Sequence, residues 1–458
     1  MTGTLRLDRK RIPVEDGDTI ASAVYRAGVR TFSRSPKYHR RRGLYCGTGD
    51  CPSCLVTVDG VPGVRSCVTP AADGMRVRRE RGWPSVERDV LSVLDRLHPV
   101  LPVGFYHKTF IRPRWAWGVA DRVIRRLVGL GRLPTGGVRP GSSRHLRCDT
   151  LVVGAGRAGR AAAVSAATRG EHVVLCDEGE LAGAPDGVEI LARHAAIGMY
   201  DGPMVALASP EGSVQVHPTR VVVATGGTEA HPVFPGNDLP GVMLGRAATG
   251  LLRRGVRPGE RAVVAVDGEE GIGHLEQLLA AGVRIAAVIA PASLAGRVPD
   301  GVRAFVGAAV SRAEGRERIR FAVLRDADGV TRGIGCDVFV LSLGVWARDD
   351  LVRMSASREP VEVVGDAAAA ESPTGPPEAG YVCLCEDVSV ADLDRAWDEC
   401  YRSSELLKRY TTTTMGPCQG RMCQLPAVRL MAQETGTSLA DVGTTTARPP
   451  WHAVPMGA

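Results

Sequence analysis

Eight cysteines in two groups are the residues whose type and spacing first suggest chemistry. Cys46, Cys51, Cys54 and Cys67 follow the pattern C-x4-C-x2-C-x12-C. Cys383 and Cys385 form a C-x-C pair, Cys418 and Cys423 a C-x4-C pair, with 32 residues between the pairs. The first three of the N-terminal set have the spacing of a plant-type [2Fe–2S] loop, whose fourth thiolate arrives from further along the chain. Gly47, Gly49, Pro52 and Ser53 lie between them. Small and turn-forming residues there let backbone N–H groups face the sulfurs and tune a cluster's potential. Four thiolates also suit zinc, but structural zinc usually shows paired C-x2-C knuckles, which this set does not have. The C-terminal set is less diagnostic, so zinc stays open there; an iron–sulfur site upstream favours a second relay station. The remaining cysteines, Cys148, Cys176, Cys336 and Cys400, have no ligand spacing and read as buried inert thiols.

A second constellation lies between the two sets, from Asp149 to Glu178. A short apolar run, Leu151 to Val153, enters a turn at Gly154, Gly156 and Gly159. An alanine-rich helix follows, then a second apolar run from Val173 to Cys176, closed by Asp177. This is the βαβ dinucleotide fingerprint in its required context: one glycine for the tight turn, one for backbone approach to a pyrophosphate, one for helix–strand packing. Free N–H groups at the helix start would face the phosphates. Asp177, 23 residues after Gly154, stands where an acid should meet a ribose hydroxyl, with Glu178 beside it. Thr225 and Gly226, ending an Ala-Thr-Gly strand, and Asp366, after Gly365, are the further candidates for this site. FAD is the expected dinucleotide, with NAD or ATP as alternatives.

These sites need elements to hold them, and 458 residues suffice for about three domains. Residues 4 to about 80 alternate as a small β-rich domain, with a helix over Ile20 to Ala27 capped by Thr19 and a hairpin turning at Asp59-Gly60. A basic, Trp- and Pro-punctuated connector follows, containing at least two helices, and Pro134 to Ser143 reads as a linker. In the α/β body a second βαβ unit opens at Arg261, with a helix from His274 to Ala281. Its turn, Asp267-Gly-Glu-Glu-Gly-Ile-Gly273, carries two glutamates where a pyrophosphate would be repelled, which argues against NAD(P)H there. Further strands fall at Val338 to Leu341 and Val361 to Val364, and the Pro-rich Ser372 to Pro377 marks the next boundary.

The net charge of +7 is concentrated in Arg34 to Arg42 and Arg112 to Arg132. No aromatic-interleaved motif accompanies these, so an acidic partner subunit or a flavin phosphate is a better use of them than nucleic acid. No run of 18 apolar residues exists and the N-terminus lacks a signal-peptide core, so a cytoplasmic protein without a membrane span is expected. In that compartment clustered cysteines serve metal rather than disulfides.

Several stretches resemble the α subunit of heterotetrameric sarcosine oxidase and its relatives, the α-type subunits of opine, proline and hydroxyproline dehydrogenases and of hydrogen cyanide synthase. Arg34-Ser-Pro-Lys-Tyr-His-Arg-Arg-Arg-Gly43 is similar to that family's arginine-rich lead into its ferredoxin-like loop. Leu101 to Phe110, Trp117 and Gly129-Leu-Gly131 resemble its connector, and Val233 to Val242 the segment after its Ala-Thr-Gly strand. Lys408-Arg-Tyr-Thr411, Met415-Gly-Pro-Cys-Gln-Gly420 and Thr445-Thr-Ala-Arg-Pro-Pro450 resemble its third domain. The resemblance runs nearly end to end, except that larger α subunits continue into a folate-binding domain after the Arg-Pro-Pro segment.

The resemblance implies an α/β fold. It comprises an N-terminal ferredoxin-like β-grasp [2Fe–2S] domain (1–80), a connector (81–147), a Rossmann-type FAD/NAD(P)-binding body with two dinucleotide units (148–370) and a C-terminal helical BFD-like [2Fe–2S] domain with its tail (378–458). It implies an electron-transfer subunit of a flavin-dependent amine or amino-acid oxidoreductase. The partner would be a FAD-containing β-type oxidase subunit, with room for small additional subunits, and FMN would sit at the interface. Lys408, Arg409 and Thr411 are the candidates for its phosphate: two cations to neutralise it and a short hydroxyl to fix it. No catalytic base gathers in this chain, so the partner would own the chemistry. A self-contained NAD(P)H-dependent iron–sulfur flavoprotein reductase, a hydrogen cyanide synthase-like subunit and a scaffold holding structural nucleotide and zinc are the competing readings.

Overall fold

The structure is a computed structural model describing residues 3–100, 103, 113, 115–128, 141–181, 183–354, 361–368 and 375–451. Most of the Leu101–Phe110 motif, Gly129 to Gly131, residues 134–140 of the Pro134–Ser143 linker and Ser372 to Thr374 lie outside these residues. The chain forms two compact units. One comprises Met1–Pro134, Glu229–Gly344 and Pro373–Thr444; the other comprises Thr135–Thr228, Val345–Ser372 and Thr445–Ala458.

The first unit holds both cysteine groups. Its N-terminal part is a five-stranded sheet in the order Lys10–Val14, Gly3–Leu7, Arg76–Arg79, Leu55–Val58, Val61–Arg65. The helix Ile20–Arg26 packs on it, starting at a capping box in which Thr19 and Ser22 satisfy each other's backbone N–H. The hairpin turns at Asp59 and Gly60, both with positive φ, the combination that matches strand twist in a two-residue loop. The alternation of Leu5, Leu7, Ile12 and Val14 places all four in the core beneath that helix.

A five-stranded parallel sheet follows in the same unit, ordered Val242–Leu244, Val338–Leu343, Arg261–Asp267, Arg284–Ala290, Ala304–Val306. Ala262 to Val266 is an unbroken apolar run because both faces of this sheet are covered. The helix after Asp267 begins at Gly268, six residues before the expected His274, and runs to Ala280. The glycine turn is therefore its first turns. Each glutamate there has an arginine: Glu269 pairs with Arg297 at 2.7 Å and Glu270 with Arg246 at 2.7 Å. The repulsion expected of bare carboxylates is thus offset by the chain's own cations.

The C-terminal part of this unit is a small hairpin, Tyr381–Cys383 with Val388–Ser389, and the helices Val390–Asp398, Ser404–Thr411, Gln424–Thr435 and Leu439–Val442. The connector contributes a 3-10 helix, Val90–Val100, and the helix Trp115–Val128.

The second unit is built on a seven-stranded sheet. Its centre is the parallel pair Ser142–Val153 and Gly212–Val223, in register from end to end. Val173–Cys176 and Val188–Leu191 extend it on one side, Met204–Ser209 and Ala195–Tyr200 on the other, and Val361–Val363 pairs with Val221 to Val223. The helix Arg157–Thr168 lies on the sheet through Ala163 and Ala166, small enough for close approach.

Candidate functional site

The N-terminal cysteine loop leaves Leu44 and Tyr45 and runs to the strand at Leu55, and Cys67 returns at the end of the hairpin. All four thiols are buried. Cys46 contacts Cys51 and Cys67, and Cys67 contacts Cys54, so four sulfurs form a continuous chain. The backbone N–H of Cys51 points to the Cys46 sulfur at 3.3 Å, and that of Thr48 points there too. Burial alone would raise the Cys46 thiol, but the hydrogen bonds from Cys51 and Cys67 hold it well below the ordinary thiol range. Cys54 is lowered by its bond from Cys67. The two donors, Cys51 and Cys67, are pushed up by those same bonds and by burial. The positive φ of Gly47, and a Cβ position only 2.6 Å from Ala247 Cα, leave no room there for any other residue.

The C-terminal set closes into a ring. Cys385 and Cys423 each contact both Cys383 and Cys418, and all four are buried. Cys383 and Cys418 are lowered by these contacts and Cys385 and Cys423 raised. Backbone N–H groups of Glu386, Gly420 and Met422 face the two lowered sulfurs. A Cβ on Gly416 would stand 2.2 Å from that of Cys385, so the loop closes on the ring only with glycine at this position. Among the described residues no group of three or more His, Cys, Asp or Glu is arranged to hold a single metal ion. Four mutually contacting thiols with inward amides are the donor set that a cysteine-ligated [2Fe–2S] cluster uses, and both quartets fit it.

In the second unit the three glycines of the turn have distinct surroundings. Gly154 has φ +104, and a Cβ there would meet the Ala224 carbonyl oxygen at 2.3 Å. Gly159 packs against Gly154 itself. Gly156 caps the helix Arg157–Thr168 and faces open space, the room a pyrophosphate needs. Asp177 lies at the turn, but its carboxylate accepts from Ala155 N–H at 2.7 Å and Gly179 N–H at 2.8 Å. It braces the glycine loop. Glu178 is exposed, 4.0 Å from Arg348, whose carbonyl accepts the Thr225 hydroxyl at 2.5 Å. Gly226 has φ +72 and Asp366 is exposed in the short 3-10 turn Gly365–Ala367.

Three stretches of the chain match family descriptions. Residues 2–82 match a 2Fe–2S iron–sulfur cluster binding domain, 149–236 a FAD binding domain and 378–458 the sarcosine oxidase A3 domain. The sarcosine oxidase subunit alpha of Rhizobium meliloti is 29% identical over 97% of this chain and 56% of its own length. The hydrogen cyanide synthase subunit HcnA of Pseudomonas aeruginosa is 34% identical over 17% of this chain and 73% of its own. Over nearly its whole length the chain is similar to sarcosine oxidase subunit alpha. It spans about half the length of the sarcosine oxidase α subunits it matches. A solved structure of L-proline dehydrogenase from P. horikoshii shares the fold, with a TM-score of 0.71 at 17% identity, covering 100% of this chain and 97% of that one.

Several expectations from the sequence are corrected. The arginine-rich lead does not face outward. Arg42 is buried against Asp238 and Asp387, Arg40 pairs with Asp238 at 2.7 Å and Asp95 at 2.8 Å, and Arg34 lies 3.8 Å from Asp89. These charges are engaged by carboxylates of their own unit. The threonine run ends the helix Ser404–Thr411 and turns through Thr412 and Thr414 with positive φ. The Thr411 hydroxyl is committed to the Leu407 carbonyl at 2.7 Å and to Thr413 at 2.8 Å. Arg409 is exposed, and Lys408 lies 3.7 Å from Glu405. Cys148, Cys176 and Cys336 are buried thiols, each pushed up to about 12 by burial, whereas Cys400 is exposed. Among the described residues no helix is long and apolar enough to cross a membrane.

Residues that sequence reasoning missed surround the quartets. Glu229 is buried, and burial raises its carboxyl to about 8 although Arg246 N–H and the Arg246 charge work the other way. The buried His231 joins Tyr45 to Tyr381. Asp50 and Arg421 stood out only as charges inside loops of small residues.

Proposed function

We propose that this chain is the electron-transfer subunit of a multi-subunit flavin-dependent oxidoreductase acting on an amine or amino acid. The observation that carries this reading is the presence in one chain of two buried thiol quartets and a dinucleotide turn with open space over Gly156. Bound [2Fe–2S] clusters supply one-electron steps, and FAD supplies the exchange between two-electron and one-electron chemistry. The chain's own residues do the rest. Cys46, Cys51, Cys54 and Cys67 hold one cluster and Cys383, Cys385, Cys418 and Cys423 the other. Amides aimed at the sulfurs stabilise the added electron, and burial keeps water away. Gly154, Gly156 and Gly159 let backbone approach a dinucleotide.

A FAD-containing partner subunit would oxidise the C–N bond. Lys408 and Arg409 are the cations available for an interfacial FMN phosphate; with Thr411 turned inward, they carry that role alone. The test is co-expression with the candidate partner, followed by amine-dependent dye reduction. The complex should reduce dye and the isolated chain should not; turnover of amine by the isolated chain would overturn the reading.

A second reading, a self-contained NAD(P)H reductase, is favoured by one feature. A cavity of about 620 Å³ opens at the carboxyl ends of Arg261–Asp267 and Arg284–Ala290, lined by Asp267, Pro291, Arg312 and Arg325. Carboxyl ends of parallel strands are where such sheets bind nucleotides. Bleaching of the isolated chain by NADH would select this reading.

A further inference from the structure

Charged contacts cross between the two cysteine loops in opposite senses. Arg42, four residues before Cys46, reaches Asp387, two residues after Cys385, and donates to the Leu384 carbonyl at 3.4 Å. Arg421, inside the Cys418–Cys423 loop, lies 3.6 Å from Asp50, the residue before Cys51. Both pairs are nearly solvent-free, with side chains 2% and 0% exposed in the first and 4% and 2% in the second. Buried pairs of this kind are poor sources of stability but strong determinants of register. Asp387 also accepts the N–H groups of Lys37 at 3.2 Å and Tyr38 at 3.0 Å, and Arg65, two residues before Cys67, donates to the Pro417 carbonyl at 2.8 Å.

An uncharged connection runs alongside. The Tyr45 hydroxyl lies 2.7 Å from His231 Nδ1, and His231 Nε2 lies 3.1 Å from the Tyr381 carbonyl. Burial lowers His231 to about 4, which leaves it neutral near pH 7. The carbonyl can only accept, so Nε2 carries the proton and Nδ1 accepts from Tyr45. Tyr45 adjoins Cys46, and Tyr381 precedes Cys383 by two residues. Pro52, Cys385 and Pro417 from the two loops line one shared cavity of about 110 Å³.

We propose that the two cysteine loops are locked as one electron-transfer pair within this chain, with Arg42 and Arg421 as crossed positioning residues. The proposal rests on the two-cluster reading above. Clusters held by Cys46, Cys51, Cys54 and Cys67 and by Cys383, Cys385, Cys418 and Cys423 would supply one-electron transfer, one iron being oxidised as the other is reduced, with a reduced flavin as the ultimate donor and no bond made or broken. The crossed contacts fix the spacing on which the rate of such a step depends.

The test uses the full chain purified anaerobically, with iron and sulfide assayed and its dithionite-reduced form examined by electron paramagnetic resonance. Two reduced centres should broaden each other's signals. Each should relax at least twofold faster than when it is alone, as in Cys383→Ser/Cys385→Ser or in wild type poised so that one centre is oxidised. Asp50→Asn/Arg421→Gln should keep the iron of both clusters and lose most of this interaction, and Arg421→Lys should restore it. Two clusters without mutual broadening in wild type would overturn the proposal while leaving the two-cluster reading intact. Full broadening in Asp50→Asn/Arg421→Gln would overturn the role of Arg421. Iron and sulfide for one cluster only would overturn the two-cluster reading and the proposal with it. If the clasp variant fails to fold, the poised wild type still decides whether the centres form a pair.

Discussion

A Cβ on Gly159 would stand 1.8 Å from the carbonyl oxygen of Gly154, whereas a Cβ on Gly156 meets nothing within 4 Å. The two glycines therefore do separable jobs, one inside the fold and one toward the ligand. Gly159→Ala should destabilise the second unit by about 1–3 kcal/mol, the usual result of overpacking. Gly156→Val should leave the melting temperature of the nucleotide-free chain nearly unchanged and cut FAD retention by about tenfold, ~1.4 kcal/mol. Differential scanning calorimetry and FAD content per chain check both. Full FAD in Gly156→Val would place the dinucleotide elsewhere.

Cys51→Ser should remove roughly half of the iron if the clusters assemble independently. Metal analysis with the visible spectrum gives the answer. Stoichiometric zinc and a colourless protein would count against iron–sulfur chemistry at both quartets.

Glu229 supplies a pH prediction. Its carboxyl is raised to about 8 by burial, above the ordinary 4.5. A raised acid holds its proton longer in the folded state, so its contribution is fully present below about pH 4.5 and is lost as pH rises towards 8. Glu229→Gln removes this dependence. The variant should gain on the order of 1–3 kcal/mol over wild type at pH 8 and nothing at pH 5. Urea unfolding at the two pH values is the measurement; parallel curves at both would show that Glu229 is not buried as an acid.

His231 works in the other direction. Its pKa is depressed to about 4, so the neutral folded form is favoured above the ordinary 6.5, and that stability is lost as pH falls from there towards 4. His231→Gln, which keeps a donor and an acceptor, should flatten the acid limb of the stability profile. An acid limb identical to wild type would assign it to other groups.

In the complex with its partner, Lys408→Ala/Arg409→Ala should lose most of the FMN measured by chromatography, because a phosphate monoester needs neutralising charge. Wild-type FMN content in the double variant would remove both residues from any flavin site.

The thiol quartet loop and the glycine turn were legible as geometry because they are local. The C-x4-C-x2-C loop and the three-glycine turn are short-range patterns whose spacing is the chemistry, and Thr19 announced its helix by capping alone. What was not legible depends on distance along the chain. Nothing near Arg42 states that its counterions are Asp238 and Asp387, so the arginine run read as a surface for a partner. Thr411 read as a phosphate donor because a hydroxyl's preference for the carbonyl four residues back is decided only once the helix exists. The start of the helix after Asp267 is hidden in the sequence because Gly271 and Gly273 look like a loop, whereas in the fold Gly271 packs against Val266 inside the helix.

The Arg42–Asp387 contact joins residues separated by 345 positions. A ribosome releases the ferredoxin-like segment long before it makes Asp387, the second acid that holds Arg42, or the arginine that faces Asp50. The first cysteine loop can fold before the chain is complete, but seating of the two loops against each other cannot. Assembly thus has a built-in order, with the contact between the two cysteine loops closing last.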